Sequence, residues 1–556
     1  MGRFAAVAAL REVFTNSNLR RLQLAWAGFM LADSAYGVAL AILAFAAGGA
    51  GAVGIVMVCR LLPAALATPA VTVYGDRHRG ERVLAVTLAA RASVIATLAA
   101  VALSDFPLAA LYALVAIDTV ATTAVRPLIA ALAVPASRSP RELSAANSAS
   151  SMIDAVSVLC GPLLAVALLA GMNEASVFLA AAILLLGAAL TSTRIHIPGE
   201  RVRGSRTGDA MGAAGFKEEL AAVVRVLGAV PRSGLVLGLF SAQALVKGMW
   251  MVFTPVVAIE LLDTGSTGVG ALQAALGAGG VVGALGTLAL VGRRRLTPPF
   301  ALGLALWGPP IAFIALVPDP VLALCLVGVL GAGRGLVYVA GLSLLQRMME
   351  KEVLGRVLGL LQTLALVATG VGAILAPTLI AAAGLRTALV SSAILMPVLV
   401  AAAWPRFGAI DRSAVANERE VLALRRVPLF SPLAPLELEQ LAAATIALTR
   451  PAGSEVVRQG DRGDRFYVVA DGELEVFVDG RSVATLEPGG SFGEIALLRD
   501  VPRTASVRAL SDVELYALDR DDFLSALTGR RPGSTPVVDG DAPATASAAG
   551  DATDSR

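Results

Sequence analysis

Long apolar segments, repeated along the chain up to about residue 405, constrain its fold more than any other feature. A helix that crosses the hydrocarbon core of a bilayer needs about 20 consecutive, mostly apolar residues. With that length as the criterion, the sequence contains about twelve such segments, at residues 22–47, 51–74, 83–104, 107–131, 145–170, 174–193, 233–259, 265–291, 297–317, 320–345, 354–382 and 386–405. They predict an all-α, polytopic membrane domain over residues 1–405.

The composition agrees with this interpretation. Of the 556 residues, 56% are hydrophobic and only 16% are charged, and the mean hydropathy is +0.75. Soluble globular domains contain about 25% charged residues, so the chain as a whole does not belong to that class. The formal net charge of +3 is too small to indicate a nucleic-acid partner.

Residues that carry covalent or metal chemistry are sparse. The three cysteines, Cys59, Cys160 and Cys325, lie inside apolar segments, and an odd, scattered set does not predict a disulfide framework. With two histidines and no Cys/His cluster, we expect no metal site. The sequence shows no nucleophile–base pair and no P-loop, so we do not expect an enzyme.

The loops between the apolar segments alternate in charge. One set is rich in arginine, whereas the other is short and mostly neutral or acidic, with Arg386 as its basic exception. Basic loops stay on the cytoplasmic side, so both termini are predicted to be cytoplasmic and the number of spans to be even. The long basic segment 194–232 is then a cytoplasmic loop between two halves of six spans, 22–193 and 233–405.

Two halves of six spans with a long middle loop resemble the major facilitator superfamily. The segment 75–84 (GDRHRGERVL) lies between the second and third spans, where that family carries an Asp-Arg…Arg signature, and 292–295 is a weaker echo in the second half. Gly161-Pro162 resembles the core of the exporter motif, although Ser157 stands where that motif has glycine. The resemblance covers about residues 10–405 and favours the exporter branch.

The signature between the second and third spans contains Asp76, Arg77 and Arg82. An aspartate at a cytoplasmic helix end can meet the positive N-terminus of a helix from the other half. Such a contact would form in one access state and break in the other, so we interpret the three residues as a gating motif. A solvated basic loop is the alternative, and it explains the arginines but not the embedded Asp76.

We single out seven charged residues within the predicted spans, where charge is costly to bury. They are Asp33, Arg60, Arg91, Asp118, Asp154, Lys247 and Arg334. The acids either bind protons or cations during transport, or each is held by an arginine and only fixes packing. We favour function for Asp33, because it lies mid-span in the helix where exporters of the family place acids.

The other intramembrane charges are left open between these roles. Asp118 and Asp154 are equally compatible with proton handling and with packing. Arg60 and Arg91 fit structural or gating partners of the acids. Lys247 is predicted either to neutralise an anionic substrate or to pair with an aspartate.

The composition changes near residue 406, where charged residues become frequent. Apolar residues at helical spacing predict a connecting helix over 406–427. From residue 453 the apolar period changes to two, and Glu473–Val478 alternates cleanly before the hairpin dipeptide Asp479-Gly480. Many short strands with glycine turns predict a β-roll or jelly roll over 428–530.

Within that domain, residues 489–507 (GGSFGEIALLRDVPRTASV) form the most specific motif of the chain. Glycine and small residues let backbone N–H groups approach an anion, and Arg503 can neutralise it. Glu494 offers an acceptor suited to a ribose hydroxyl. The motif resembles the phosphate-binding cassette of the cyclic nucleotide-binding domain family. The glycine turns over residues 428–528 also occur in the same order as in that family.

The resemblance implies that Glu494 binds the ribose 2′-hydroxyl and Arg503 the cyclic phosphate. It also implies that Thr504 contacts phosphate or guanine, so the ligand is cAMP and, as a second possibility, cGMP. The remaining cassette residues supply backbone groups, namely Gly493, Ile495, Ala496 and Ala505. Alternatively, Glu494 and Arg503 pair as a surface salt bridge in a degenerate domain.

One departure from that family concerns the helix that follows the barrel and covers the base. Here residues 518–527 predict a first helix, and 529–533 (GRRPG) ends it. Residues 531–556 are rich in Pro, Gly, Ala, Ser and Asp and predict a disordered tail. A lid would then come from the connecting helix, a membrane-domain loop or a second subunit, which leaves a homo-oligomer open.

Together these features predict a secondary-active exporter of a small molecule in the inner (cell) membrane, modulated by cytosolic cyclic nucleotide. Its two halves would rock against each other around a central cavity. The expected partners are the lipid bilayer, an unidentified small-molecule substrate and the nucleotide, with no nucleic acid. Two alternatives remain, a membrane-anchored cyclic nucleotide receptor without transport and a lipid-translocating facilitator.

Overall fold

The computed structural model describes residues 13–77, 79–104, 107–196, 231–288, 296–348, 351–433 and 435–528. The chain divides into two compact units, Met1–Asp411 and Arg412–Arg556. We call them the helical unit and the β unit. The predicted cytoplasmic loop lies largely in residues 197–230, and the predicted tail at 531–556; both lie outside the described residues.

Apolar helices make up the helical unit. Their bounds are α1 Ser17–Arg77, α2 Gly80–Ala102, α3 Leu108–Ala136, α4 Pro140–Leu169, α5 Glu174–Thr193, α6 Pro231–Val256, α7 Gly265–Leu288, α8 Thr297–Ala305, α9 Pro309–Leu316, α10 Pro320–Met348, α11 Lys351–Ala383 and α12 Leu385–Arg426. A π-helical turn, Val257–Leu261, extends α6. Helix α12 also supplies the residues predicted as a connecting helix, up to Arg426.

Eleven helices among the described residues are long and apolar enough to cross a membrane. One of them lies in α1, where Gly48 and Gly49 have non-helical backbone angles. Gly49 has a φ of 61°, which favours glycine. This kink falls between the predicted segments 22–47 and 51–74, so α1 consists of two helical segments that a count of continuous helices merges into one.

One continuous apolar core joins these helices. Extensive contacts pair α7 with α10, α2 with α5 and α6 with α11, while α4 packs on α7 and α1 on α11 across the two halves. At Gly161 on α4, an added Cβ would overlap the side chain of Ser34 on α1. Glycine therefore allows the close approach of α4 to α1 beside Asp33.

In the part of the β unit that the structure describes, eight strands form two antiparallel sheets. Their bounds are β1 Ile446–Arg450, β2 Glu455–Val457, β3 Arg465–Asp471, β4 Leu474–Val478, β5 Arg481–Leu486, β6 Ser491–Phe492, β7 Ser506–Ala509 and β8 Val513–Asp519. The first sheet has the order β1-β8-β3-β6 and the second β2-β7-β4-β5. This sandwich confirms the predicted roll, and β4 and β5 pair through the predicted hairpin at Asp479-Gly480.

Side-chain alternation along β3 separates two apolar clusters. Tyr467 and Val469 point between the two sheets. Phe466 and Val468 pack on the opposite face, against the end of α12, helix α13 (Pro435–Ala443) and helix α15 (Arg520–Thr528). Between β6 and β7 lies a short helix, α14 (Glu494–Arg499), which presents the cassette residues.

Candidate functional sites

The seven predicted cassette residues converge on one cavity of the β unit, with a volume of about 200 Å³. One wall of the cavity, formed by strand β6, helix α14 and the start of β7, is polar. Apolar residues of β2, β4 and β5 form the opposite wall. The lining residues are Val457, Val476, Leu486, Ser491, Phe492, Gly493, Glu494, Ile495, Ala496, Arg503, Thr504, Ala505 and Val507. A polar wall opposite an apolar wall suits a ligand with a charged end and a flat apolar end.

Arg503 lies at the polar wall and is only 5% exposed. Its Nη1 donates to the Gly493 carbonyl at 3.2 Å and its Nη2 to the Arg465 carbonyl at 2.7 Å. Asp464 approaches Nη2 at 3.5 Å, but that carboxylate is largely exposed and screened by solvent. The guanidinium is thus held in one orientation by backbone acceptors, which preorganises a nearly uncompensated cation for an anion.

Glu494 does not pair with Arg503 in this arrangement. Its Oε2 is buried and has no hydrogen-bond partner within the protein. A buried carboxylate oxygen without a donor is costly, so a donor from a ligand would relieve the cost. The surface salt bridge considered from the sequence is therefore not formed, and both side chains remain available to a ligand.

Three further residues surround Arg503 at the polar wall. Tyr467 packs beneath Arg503, with its ring centre 5.7 Å from the guanidinium carbon, and burial raises the pKa of its hydroxyl so that the ring stays neutral. Thr504 is exposed at the edge of the cavity, and Ala505 is half-buried. Neither side chain obstructs the space in front of Arg503.

Gly493 precedes α14 with a left-handed backbone, at a φ of 99°. A Cβ at this position would lie 2.5 Å from Nη1 of Arg503 and 2.9 Å from the Arg465 carbonyl oxygen. We expect Gly493→Ala to displace the guanidinium and to weaken cyclic nucleotide binding by about tenfold or more. Isothermal calorimetry on the purified full-length chain measures this affinity.

Gly480 in the β4–β5 hairpin provides the matched control. It also has a positive φ, 77°, but an added Cβ there would meet nothing within 4 Å. Gly480→Ala carries the same backbone strain without the contact to Arg503, so its affinity should stay near that of the parent. Equal losses in both variants would contradict a specific role for Gly493.

Three apolar side chains beside the cavity remain exposed. Ile495, Leu498 and Val501 are 41%, 52% and 37% exposed, respectively, and the described chain ends with α15 at Thr528. Helix α15 is the last helix of the described residues, and the lack of a covering helix stays a prediction.

In the helical unit, a buried network of charges joins α1, α2 and α3. Arg91 on α2 is fully buried and binds Asp118 on α3 through Nε at 2.8 Å and Nη2 at 3.1 Å. The same Nη2 donates to Asp33 on α1 at 2.9 Å, and the guanidinium stacks on Phe29. Asp118 is thus held in a bidentate pair, whereas Asp33 accepts a single hydrogen bond from Arg91 and is 27% exposed.

Arg60 reaches the other carboxylate oxygen of Asp33 at 3.7 Å and lies over the ring of Tyr36. Asp33 therefore lies between two arginines from different helical segments. Because its partners are shared and it is partly accessible, Asp33 is the acid of this network best placed to exchange a proton.

Asp154 on α4 pairs with Arg126 on α3 at 3.4 Å, and Arg126 stacks on Trp26. Arg126 lies inside the predicted segment 107–131 but is missing from the charges picked out from the sequence. The sequence does indicate this residue, because an arginine inside an apolar run marks an intramembrane charge. Asp33, Asp118 and Asp154, the three aspartates singled out within the spans of the first half, thus each meet an arginine.

In the second half of the helical unit, the two cations near mid-span have no acidic partner among the described residues. Lys247 on α6 is exposed and Arg334 on α10 is half-buried. Within the described residues, neither side chain has a hydrogen bond or an ion pair. The predicted alternative in which Lys247 pairs with an aspartate is therefore not observed.

Of the predicted gating motif, Asp76 and Arg77 end helix α1, and Arg82 lies exposed in the first turn of α2. The neighbouring Arg79 pairs with Glu81 at 2.7 Å. The structure places these residues near one helix junction, and their gating role remains a prediction.

Comparison with known families identifies both parts of the chain. Residues 24–372 match the sequence model of the Major Facilitator Superfamily, and residues 448–529 match that of the cyclic nucleotide-binding domain. The chain belongs to the Major Facilitator Superfamily. It is a multi-pass membrane protein of that superfamily, with a C-terminal cyclic nucleotide-binding domain whose ligand class is a cyclic nucleotide.

Several relatives resemble this domain alone. The cAMP-dependent protein kinase regulatory subunit of Emericella nidulans is 44% identical over 102 residues, which is 18% of this chain and 25% of that protein. The regulatory domain of Toxoplasma gondii PKA, solved with cAMP, is 35% identical and covers 20% of this chain and 44% of that one, with a TM-score of 0.19. The catabolite activator protein of Thermus thermophilus is 39% identical over 18% and 49% of the two chains, with a TM-score of 0.17. The chain therefore spans about a quarter of the curated relative that it matches.

Proposed function

We propose that this member of the Major Facilitator Superfamily is a secondary-active exporter of a small molecule whose rate is modulated by cyclic nucleotide. The observation that carries the proposal is the cavity of the β unit, where a preorganised Arg503 and an unpartnered Glu494 oxygen face the same space. An anion and a hydroxyl donor on one ligand would satisfy both groups. A cyclic phosphodiester fused to a ribose carries that pair.

Within this proposal cAMP is the main ligand. The kinase regulatory subunit that resembles the domain is named for its dependence on cAMP. Thr504 is exposed beside Arg503 and is available to a guanine amino group, which makes cGMP the second ligand to test. A titration with both nucleotides separates them.

The proposed topology has twelve spans in the inner (cell) membrane. The kink at Gly48-Gly49 supplies the turn between the first two spans, and the basic loops place both termini in the cytoplasm. The nucleotide would then reach its domain from the cytosol. A homo-oligomer remains part of the proposal only as a source of a lid over the cavity.

Modulation would act on the alternating-access equilibrium of the two halves. A ligand shifts such an equilibrium only by its differential affinity for the two states. Complete switching requires about 5.5 kcal/mol of difference. We expect a nucleotide in an exposed cavity to differ less in affinity between the two states than a nucleotide under a lid. The nucleotide should therefore change the transport rate severalfold rather than switch it on and off.

Inside-out vesicles from cells that produce the chain provide the test. A substrate of a proton-coupled exporter dissipates an imposed pH gradient, which an entrapped dye reports. Candidate solutes are screened with and without saturating cAMP. The proposal predicts a gradient loss that depends on the solute and whose rate changes with cAMP; an unchanged rate for an active solute would remove the regulatory role, and the absence of any flux would favour a receptor without transport.

Asp33 is the proposed proton carrier of this cycle, because it is partly accessible and shares its arginines. We expect Asp33→Asn to lower proton-coupled flux by about tenfold or more, with the bidentate pair of Arg91 and Asp118 still intact. Initial rates in the same vesicles measure it. Asp319→Asn, at an exposed loop acid, is the control, and full activity in Asp33→Asn would exclude the role.

A further inference from the structure

Two cations of the second half, Lys247 and Arg334, lie near the middle of their spans. Lys247 is near the centre of the span Gly234–Leu261, and Arg334 is near the centre of the span Pro320–Gln346. Helices α6 and α10 contact each other, so the two cations lie on neighbouring helices, and like charges repel. Two like charges at the middle of a membrane domain need a compensating group.

Within the described residues, the second half does not provide that group. Every acid of the sequence between residues 233 and 405 lies at or beyond a span end, namely Glu260, Asp263, Asp319, Glu350 and Glu352. Neither Lys247 nor Arg334 has a hydrogen-bond or ion-pair partner within the described residues. In the first half, by contrast, the three intramembrane arginines Arg60, Arg91 and Arg126 all meet an aspartate.

The surplus charge therefore belongs to one half only. The first half neutralises its cations internally, so its network does not require a ligand to balance it. The second half leaves two cations at mid-span, where secondary transporters bind substrate. Lys247 is also exposed rather than packed into the core, which keeps its ammonium group accessible.

We propose that Lys247 and Arg334 bind the negatively charged group of the transported substrate, which is a small organic anion bearing a carboxylate or a phosphate. This inference deepens the proposed function and rests on it, since it names the substrate class of the exporter. The guanidinium of Arg334 supplies paired donors for an oxyanion, and the ammonium of Lys247 a second positive charge.

Binding can be measured without any flux. The full-length chain is placed in nanodiscs and saturated with cAMP, so that Arg503 does not compete for the added anions. Melting temperatures are followed at constant ionic strength with two sets of probes: succinate against succinamide and 1,4-diaminobutane, and glycerol 3-phosphate against glycerol. The proposal predicts stabilisation by succinate or glycerol 3-phosphate and none by the neutral or cationic probes, and the stronger of the two anions tells a carboxylate from a phosphate substrate.

Variants assign the effect to the two cations. We expect Lys247→Gln and Arg334→Gln each to weaken anion binding by about tenfold. Lys247→Arg keeps the charge and should retain binding, which guards against a loss caused by misfolding. Arg386→Gln, at an exposed basic residue outside the site, is the matched control and should behave like the parent.

Three results would overturn the proposal: no stabilisation by either anion, stabilisation by the diamine, or anion binding that persists in both glutamine variants. These outcomes are independent of the proposed transport. Anion binding without vesicle flux would refute transport but leave the site, whereas flux of a cationic solute would refute the anion site but leave the exporter.

Discussion

Replacing Arg503 by alanine should weaken cAMP binding by about a hundredfold, which corresponds to about 3 kcal/mol. The guanidinium is nearly fully buried and is oriented by the carbonyls of Gly493 and Arg465. A cyclic phosphate that entered the cavity without this cation would lose its only buried positive partner among the lining residues described. Calorimetric titration of the full-length chain with cAMP measures the change.

Two further variants separate ligand binding from folding in this experiment. Arg503→Lys keeps a positive charge but loses the paired donors, so we expect an intermediate loss of about tenfold. Arg508→Ala, at an exposed arginine of β7 that stacks on Phe477 outside the cavity, should bind like the parent. Unchanged affinity in Arg503→Ala, or an equal loss in Arg508→Ala, would contradict the assigned site.

Replacing Arg91 by leucine should destabilise the helical unit by about 3–5 kcal/mol. The substitution leaves Asp118, which is 1% exposed, without its bidentate partner, and it removes the strongest contact of Asp33. An unpaired buried carboxylate carries the full cost of desolvation. Thermal unfolding of the chain in nanodiscs measures the loss, and Arg126→Gln, at an exposed arginine, should cost less than about 1 kcal/mol.

A double substitution tests whether the pair, rather than the size of Arg91, is the cause. Arg91→Leu combined with Asp118→Leu removes both charges, so much of the lost stability should return. A double variant that is as unstable as the sum of the single variants would mean that Arg91 contributes by packing on Phe29 alone.

Much of the β unit could be read from the sequence, because its signals are local. The alternation in β4 and the dipeptide Asp479-Gly480 specify a hairpin within a few residues. The cassette is equally local, since Gly493 to Ala505 follow one another around one cavity. The absence of a pair between Glu494 and Arg503 was not readable, because the carbonyl partners of Arg503 come from both Gly493 and the distant Arg465.

The helical unit was predictable in outline only. Hydropathy gives the spans, but it does not tell which acid meets which arginine, since Arg91 contacts Asp33 and Asp118 on two other helices. The position of Arg126 in an apolar run is visible in the sequence, but its pairing with Asp154 is not. The kink at Gly48-Gly49 separates two helical segments, and it falls between the two spans that hydropathy predicts there.

The proposed regulation requires that nucleotide bound at Arg503 changes the conformational equilibrium of the membrane domain. Spin-label distances test this without knowledge of the substrate. With the three native cysteines replaced by alanine, labels at Ser144→Cys and Gly355→Cys report the separation of exposed positions at the starts of α4 and α11, on opposite halves. We expect saturating cAMP to shift the distance distribution in this chain and to leave it unchanged when Arg503→Ala is added. Identical distributions with and without cAMP in the parent would contradict regulation of the membrane domain by the nucleotide.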